Sequence, residues 1–140
     1  MWFETTISYQ KTMDDGCEKT VSETYAVDVL SFTEAEELTI EEIAHCISGD
    51  AVVKSIKKTN FAEVFFTDDA KDDKWYKAKV AFVVLDEKSG KEKYSAVNYL
   101  VQANTFGNAV KNINDALSVG MQDYKIVTVS ETNIYDVKEH

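Results

Sequence analysis

Apolar and polar residues alternate along the first stretch of the chain. Phe3, Ile7 and Tyr9 fall on one face of the pattern, whereas Glu4 falls on the other. A period of two residues is typical of a half-buried β-strand, because successive side chains of a strand point to opposite faces. The pattern therefore predicts a strand over residues 2–10.

A second alternating stretch, Val21–Val29, follows a turn at Asp14-Asp15-Gly16. Asp and Gly are favoured in tight reversals because they tolerate the backbone angles that such turns require. The two stretches therefore predict an antiparallel hairpin. The same order of features recurs later, with strands over Tyr76–Val84 and Ser95–Ala103 on either side of a turn at residues 87–90.

Helical spacing replaces the alternation after each hairpin. Ser31 and Thr105 are predicted N-caps, because their hydroxyl groups can accept hydrogen bonds from the first free amides of a helix. Thr33, with Glu36 three residues later, is an alternative cap for the first helix, so its first residue is left open. Apolar residues then recur every three or four positions, which indicates a helix face packed on a core. These residues are Phe32, Ala35, Ile40, Ile43, Ala44 and Ile47 in the first helix and Phe106, Ala109, Val110, Ile113, Ala116, Leu117 and Gly120 in the second.

A further strand is predicted after each helix, over Ala51–Lys58 and Lys125–Ser130. Phe61–Phe66 either continues the first of these strands or forms a short fourth one, and Ile134–Val137 follows the second. The segment 67–74 (TDDAKDDK) has no large apolar residue, and it is the predicted linker between the two halves of the chain.

The two halves also resemble each other in sequence. When residues 16–35 are aligned with residues 90–109, seven of the twenty pairs are identical. The agreement continues outward with a spacing of 73 residues between equivalent positions. The identical pairs are Gly16/Gly90, Glu18/Glu92, Lys19/Lys93, Tyr25/Tyr99, Val27/Val101, Phe32/Phe106 and Ala35/Ala109, and the outward matches include Trp2/Trp75, Thr59/Thr132 and Asn60/Asn133.

These patterns predict an α+β fold with internal duplication of a β-β-α-β unit, in which two helices pack on antiparallel sheet with pseudo-twofold symmetry. The predicted repeats span residues 1–66 and 75–140 and share one domain over residues 1–140, since one copy alone would bury only about 60% of its surface. Two independent small domains are the alternative. The patterns leave open whether the strands form one sheet or two.

Charge is unevenly distributed along the chain of 140 residues, whose formal net charge is −10. Residues 1–70 carry 5 lysines and 15 acidic residues, whereas residues 71–140 carry 10 of each. The chain contains no arginine, the residue that binds phosphate through two parallel hydrogen bonds. Nucleic acid and anionic membranes are therefore disfavoured as partners.

Neither a membrane helix nor a disulfide framework is predicted. No apolar run approaches the roughly 18–20 residues that a membrane-spanning helix needs. The two cysteines, Cys17 and Cys46, are far apart in the sequence. We therefore expect a cytoplasmic protein.

Short motifs spread over nearly the whole chain carry a family resemblance. They are Trp2-Phe3, Val27–Glu36, Ile47-Ser48-Gly49, Ile56-Lys57-Lys58, Asp73–Lys77 with Lys79-Val80, and Leu85–Lys93. Through these motifs the chain resembles a family of uncharacterised bacterial and bacteriophage proteins, known only as a domain of unknown function. The resemblance implies a small cytoplasmic protein with an occasional phage context, and it brings no assigned activity.

Metal-binding and catalytic motifs are absent from the sequence. His45 and Cys46 are neighbours in the predicted first helix, where adjacent side chains point about 100° apart and do not converge on one ion. Cys17 lies in a turn and His140 at the end of the sequence. No HExxH, GxSxG or glycine-rich phosphate loop occurs. We therefore predict no metal, no cofactor and no enzyme activity, with paired carboxylates as the remaining route to catalysis.

One predicted strand carries tryptophan and lysine together. Trp75, Lys77 and Lys79 share a face, and aromatic residues beside lysines on an exposed sheet can hold single-stranded nucleic acid. The alternative is a solvated face on which lysines protect a sheet edge. Trp2 and Trp75 each stand at the start of a strand, either covering the end of the core or anchoring a partner.

The preferred hypothesis is a non-enzymatic interaction or scaffold protein. Exposed sheet edges would bind a protein partner or a second copy of the chain. One alternative is an accessory protein of a phage or mobile element that binds single-stranded nucleic acid through the tryptophan and lysine face. Another is an acidic mimic of nucleic acid, with Glu37, Glu41 and Glu42 of the first helix occupying a partner's basic groove.

Overall fold

The structure is a computed structural model that describes residues 1–43, 51–120 and 122–139. These residues form eight strands, two α-helices and one π-helical segment, so the fold is of the α+β kind with strand predominating. In chain order the elements are β1 (Trp2–Thr12), β2 (Glu18–Asp28), α1 (Phe32–Leu38), the π-helical segment (Thr39–Ile43), β3 (Ala51–Lys58), β4 (Phe61–Phe65), β5 (Lys74–Leu85), β6 (Glu92–Ala103), α2 (Phe106–Leu117), β7 (Tyr124–Glu131) and β8 (Ile134–Glu139).

The chain divides into two compact units, and the first consists of Met1–Asn60 together with Asn133–His140. Its four strands form one sheet in the order β3-β1-β2-β8. β1 pairs antiparallel with β2 and with β3, whereas β8 pairs parallel with β2. The last strand of the chain therefore completes the sheet that the first strands begin.

The second unit, Phe61–Thr132, contains a sheet in the order β4-β6-β5-β7. β5 pairs antiparallel with β6 and β7, and β4 pairs parallel with β6. β4 follows β3 in the chain, yet it belongs to the other sheet. The prediction of purely antiparallel sheet is therefore wrong at β4 and β8, because each of these strands pairs with the opposite half of the chain instead of turning back on its own.

Two equivalent threonines fix the points where the chain changes unit. Thr59 donates from its backbone N and its Oγ1 to the carbonyl oxygen of Trp2, at 2.9 and 2.8 Å. Thr132 donates in the same way to the carbonyl oxygen of Trp75, also at 2.9 and 2.8 Å. The chain is thus hydrogen-bonded to the start of β1 where it leaves the first unit, and to the start of β5 where it leaves the second unit.

The unit boundaries fall after Asn60 and after Thr132, whereas the linker was predicted at residues 67–74. That segment belongs to the second unit, where Asp72 is only 4% exposed. A polar composition predicted solvent exposure, but hydrogen bonds from distant parts of the chain hold the segment in place. Those partners cannot be read from the local sequence.

Each sheet has its own apolar cluster on the face that its helix covers. The alternation in β1 and β5 buries every second side chain of these strands, as the sequence predicts: Phe3, Thr5 and Ile7 in β1 and Tyr76, Ala78 and Val80 in β5. Phe32 of α1 and Phe106 of α2 are exceptions to the predicted stripes, since they are 53% and 57% exposed. The first cluster contains Phe3, Ile7, Tyr25, Val27, Val29 and Ala35, and the second contains Tyr76, Ala78, Val80, Tyr99, Val101, Ala103, Ala109 and Ile113.

The predicted apolar stripe of the first helix is wrong at Ile40, which is 50% exposed. Ile40 lies five residues after the buried Ala35, which is about 140° around an α-helix, whereas Thr39 lies four residues after Ala35 and shares its face. Thr39 takes the buried position, and its hydroxyl lies 2.7 Å from the carbonyl oxygen of Ala35 and 3.0 Å from Oγ1 of Thr5. These bonds satisfy a polar group at a position that spacing alone assigns to an apolar one.

Candidate functional site

The strand β4 stands at one edge of the second sheet. Among the described residues, β6 is the only strand that pairs with it. The ladder between them is interrupted by a bulge at Ala62 and then runs regularly from Glu63 to Phe65. The outer side of an edge strand presents unpaired backbone N–H and C=O groups, which are a template for pairing with another extended chain.

A groove of about 400 Å³ lies beside this edge, between β4 and α2. We call it the β4–α2 groove. An extended peptide that joins a strand edge next to a helix gains main-chain hydrogen bonds from the strand, while side-chain pockets select its sequence. The groove is lined by Val64, Phe65, Phe66 and Thr67 on the strand side and by Asn112, Asp115 and Ala116 on the helix side.

The helix-facing side of β4 has an aromatic centre. Phe65 stacks on Tyr99, with ring centroids 5.0 Å apart. Glu63 pairs with Tyr99 in the ladder and therefore lies on the same side of the strand as Phe65. Burial, together with the charge of the Glu63 carboxylate, raises the pKa of Tyr99. The strand β4 thus presents an apolar surface in the groove wall, with the Glu63 carboxylate next to that wall.

A buried carboxylate joins the end of β4 to the start of α2. Oδ2 of Asp72 accepts a hydrogen bond from Oγ1 of Thr67 at 2.7 Å, and its Oδ1 accepts one from Nδ2 of Asn108 at 2.8 Å. Asn108 also donates to Oδ1 of Asn104 at 2.9 Å. We call these residues, with Gln102, the Asp72 network.

Gln102 links the same network to β6. Its Nε2 donates to the backbone carbonyl of Asp72 at 2.7 Å, and its Oε1 accepts from the backbone N of Thr67 at 3.1 Å. Asn112 of α2 donates to the carbonyl oxygen of Gln102 at 2.9 Å. Because Thr67 and Asn112 both line the β4–α2 groove, the network fixes the separation of its two walls.

The tryptophan and lysine face is only partly exposed. Lys77 and Lys79 reach solvent, and Nζ of Lys77 lies 5.9 Å from the centre of the Phe61 ring. Trp75, in contrast, is 4% exposed and packs edge-on against Phe66 with ring centroids 5.5 Å apart. Its ring is therefore not available for stacking on a base, and burial favours the structural role among those that the sequence leaves open.

The remaining predicted interaction residues lie in the first unit. Trp2 is half-buried at the start of β1. Glu37 on α1 and Glu41 in the π-helical segment are exposed, and neither forms an ion pair with any described residue. The side chain of Glu42 lies outside the described part of the chain.

No metal site is formed by the residues that the structure describes, since no three His, Cys, Asp or Glu side chains converge there. Cys17 is exposed and free. His45, Cys46, His140 and the end of the predicted first helix lie outside the described residues.

Two tyrosines share one carboxylate in the first unit, an arrangement that the sequence patterns did not predict. Tyr9 donates from its hydroxyl to Oε1 of Glu23 at 2.7 Å, and Tyr25 donates to Oε2 at 2.5 Å. The bond to Glu23 raises the pKa of Tyr9 to about 12, and burial followed by the same bond raises the pKa of Tyr25. Both carboxylate oxygens have hydrogen-bond partners, so the cluster stabilises the β1–β2 hairpin.

The fold and the groove define an α+β protein of two mixed four-stranded sheets, with an open edge strand beside a helix. The chain belongs to the family described as Domain of unknown function (DUF4494), whose model matches residues 1–140. Neither a curated protein nor a solved structure matches the chain. None of the helices within the described residues has the length and apolar character needed to span a bilayer.

Proposed function

We propose that the protein is a non-enzymatic interaction protein that binds an extended segment of another protein by β-strand addition along β4. The partner's side chains would enter the β4–α2 groove. The observation that carries this proposal is the coincidence of a strand edge on which no further strand of the described residues pairs with a groove of about 400 Å³ at its side. An open edge supplies main-chain hydrogen bonds, and an adjoining groove supplies selectivity.

The other sheet edges are less suited to strand addition. In the described residues, the pairing of β3, β7 and β8 is interrupted by bulges at Lys54, Val127 and Tyr135. Bulges and lysines on edge strands twist the edge away and oppose pairing with a further chain. β4 has a bulge as well, at Ala62, and its regular ladder covers only Glu63–Phe65. It differs from the other edge strands in carrying no lysine, whereas β3 carries Lys54, Lys57 and Lys58, β7 carries Lys125 and β8 carries Lys138.

The Asp72 network favours binding because it orders both walls of the groove before a partner arrives. A site that is already ordered loses less conformational entropy on binding than a site that forms around its ligand. The short regular stretch of β4 limits the main-chain contribution, so much of the binding energy must come from side chains in the groove.

Peptide display on the chain of 140 residues tests the proposal. A library of random nine-residue peptides is selected against the protein and, in parallel, against Ala116→Trp, which fills the groove from the helix side. We expect peptides that bind the wild type and the control variant Ser89→Trp, whose substitution lies in the exposed turn between β5 and β6, but bind Ala116→Trp poorly. Circular dichroism checks that each variant is folded.

Hydrogen exchange then locates the binding surface. Strand addition should slow exchange of amides on the outer side of β4, between Glu63 and Phe66, when a selected peptide is present. Two results would overturn the proposal: failure of the library to yield any peptide that distinguishes wild type from Ala116→Trp, or protection confined to a different edge.

We also propose that the two halves are copies of one ancestral β-β-α-β unit. The support comes from local features that recur at equivalent positions. Ser31 and Thr105 cap α1 and α2 in the same way, by accepting from the backbone N three residues later at 3.1 Å. The bulges at Lys54 and Val127 are also equivalent in the aligned halves. Internal symmetry in the sequences of other family members would test this origin.

A further inference from the structure

The charged side chains around the β4–α2 groove are mostly acidic. On the segments that line or flank the groove, lysine occurs at Lys71 and Lys111. The exposed acidic residues on the same segments are Glu63, Asp68, Asp69 and Asp115.

The acidic residues at the groove have no cationic partner among the described residues. Within the described residues of the second unit, the ion pairs join Lys74 to Glu131 at 3.9 Å and Lys93 to Asp86 at 3.2 Å. None of these four residues lines the groove. Lys111 stands one helical turn before Asp115, but the two side chains do not come within ion-pair distance. The field in the groove is therefore negative.

The strand side of the groove also suits the stem of a long cationic side chain. Glu63 and Phe65 are two residues apart on the same side of β4, which corresponds to about 6.6 Å along a strand. The methylene groups of arginine and lysine pack on aromatic rings, and their positive charge is attracted to the ring face. The charged end of the side chain can extend past the ring. A cation lying over the stacked Phe65–Tyr99 pair can thus reach the Glu63 carboxylate.

We propose that the segment bound in the β4–α2 groove is cationic, with arginine or lysine at alternate positions that face α2. This inference rests on the function proposed above and specifies the chemistry of the partner. One cationic side chain lies along Phe65 toward Glu63, and the next inward side chain meets Asp115 from the helix. The alternate side chains point away from α2 and are not selected by charge.

Three labelled heptapeptides test the role of charge. The first is Thr-Val-Arg-Val-Arg-Val-Thr, the second replaces both arginines with citrulline, and the third replaces them with glutamate. Citrulline keeps the shape and the stem of arginine but removes its charge. Exposed ion pairs contribute about 0.2–1 kcal/mol each, so we expect the citrulline peptide to bind about 2- to 25-fold more weakly by fluorescence anisotropy. The glutamate peptide should not bind.

Neutralising the acidic residues of the groove should mirror the change in the peptide. Glu63→Gln and Asp115→Asn should each weaken binding of the arginine peptide about 1.4- to 5-fold and leave the citrulline peptide unchanged. Glu87→Gln is the matched control, because it removes the same charge from an exposed turn elsewhere in the second unit. Raising the salt concentration should weaken binding of the arginine peptide alone.

The outcomes separate this inference from the function on which it rests. The inference of a cationic partner is wrong if the arginine and citrulline peptides bind equally. It is also wrong if the displayed peptides need an open groove but show no excess of basic residues. Neither result contradicts strand addition itself. If the library yields no groove-dependent peptide and the arginine peptide fails to bind at about 1 mM, strand addition itself is wrong.

Discussion

Replacing Asp72 with alanine should destabilise the protein strongly, although the residue lies in a segment whose composition resembles a solvated linker. The side chain accepts two hydrogen bonds, from Thr67 at 2.7 Å and from Asn108 at 2.8 Å. A hydrogen bond to a charged group contributes about 1.5–3 kcal/mol. Removing a buried carboxylate also relieves its desolvation cost, so we expect a net loss of about 2–4 kcal/mol in the free energy of unfolding.

Urea unfolding followed by circular dichroism measures this loss. For a chain of this size, each 1 kcal/mol lowers Tm by roughly 2–4 °C, so a fall of about 4–16 °C is expected in thermal scans. Asp72→Asn should fall between wild type and Asp72→Ala, because its amide oxygen can still accept one of the two bonds. Asp73→Ala is the matched control, since Asp73 is the exposed neighbour and its loss should cost less than about 0.5 kcal/mol.

The result that would refute this reasoning is an Asp72→Ala variant as stable as Asp73→Ala. It would mean that the Asp72 network contributes no net stability. A second readout is hydrogen exchange of the Thr67 amide, which should accelerate in Asp72→Ala as the end of β4 loosens from α2.

Two further predictions concern the first unit. Because the Tyr9 pKa is raised from 10.0 to about 12, the bond between Tyr9 and Glu23 stabilises the fold fully below pH 10, and this contribution is lost as the pH rises toward 12. Glu23→Gln should lower the Tyr9 pKa in an absorbance titration at alkaline pH; an unchanged titration would contradict the assigned bond. Thr59→Ala removes the Oγ1 bond to the Trp2 carbonyl and should cost about 1 kcal/mol in urea unfolding, whereas Thr59→Ser should be close to neutral.

Local patterns predicted most of the individual elements. Alternation located β1, β2, β5 and β6, and the caps at Ser31 and Thr105 lie where hydroxyl chemistry predicts them. These features depend on neighbouring residues, which the sequence displays directly. The α+β class follows from their order.

The destination of β4 could not be predicted in the same way. A short apolar run such as Phe61–Phe65 fits either sheet, and pairing with β6 is decided by long-range contacts. The groove was missed for the same reason, since its walls come from residues about fifty positions apart in the chain. The burial of Asp72 could not be predicted either, because its partner Asn108 lies 36 residues away in the sequence.

The exchange of edge strands has a consequence for how the chain can be divided. A cut in the segment between β4 and β5 would leave two fragments, each lacking one strand of its own sheet and carrying the strand that the other fragment needs. In the separate fragments β2 would lack its partner β8 and β6 would lack its partner β4, but a mixture could restore both pairings by complementation. The polar segment 67–74 resembles a linker between two modules, but fragments produced by a cut there would each need the other to complete their sheets.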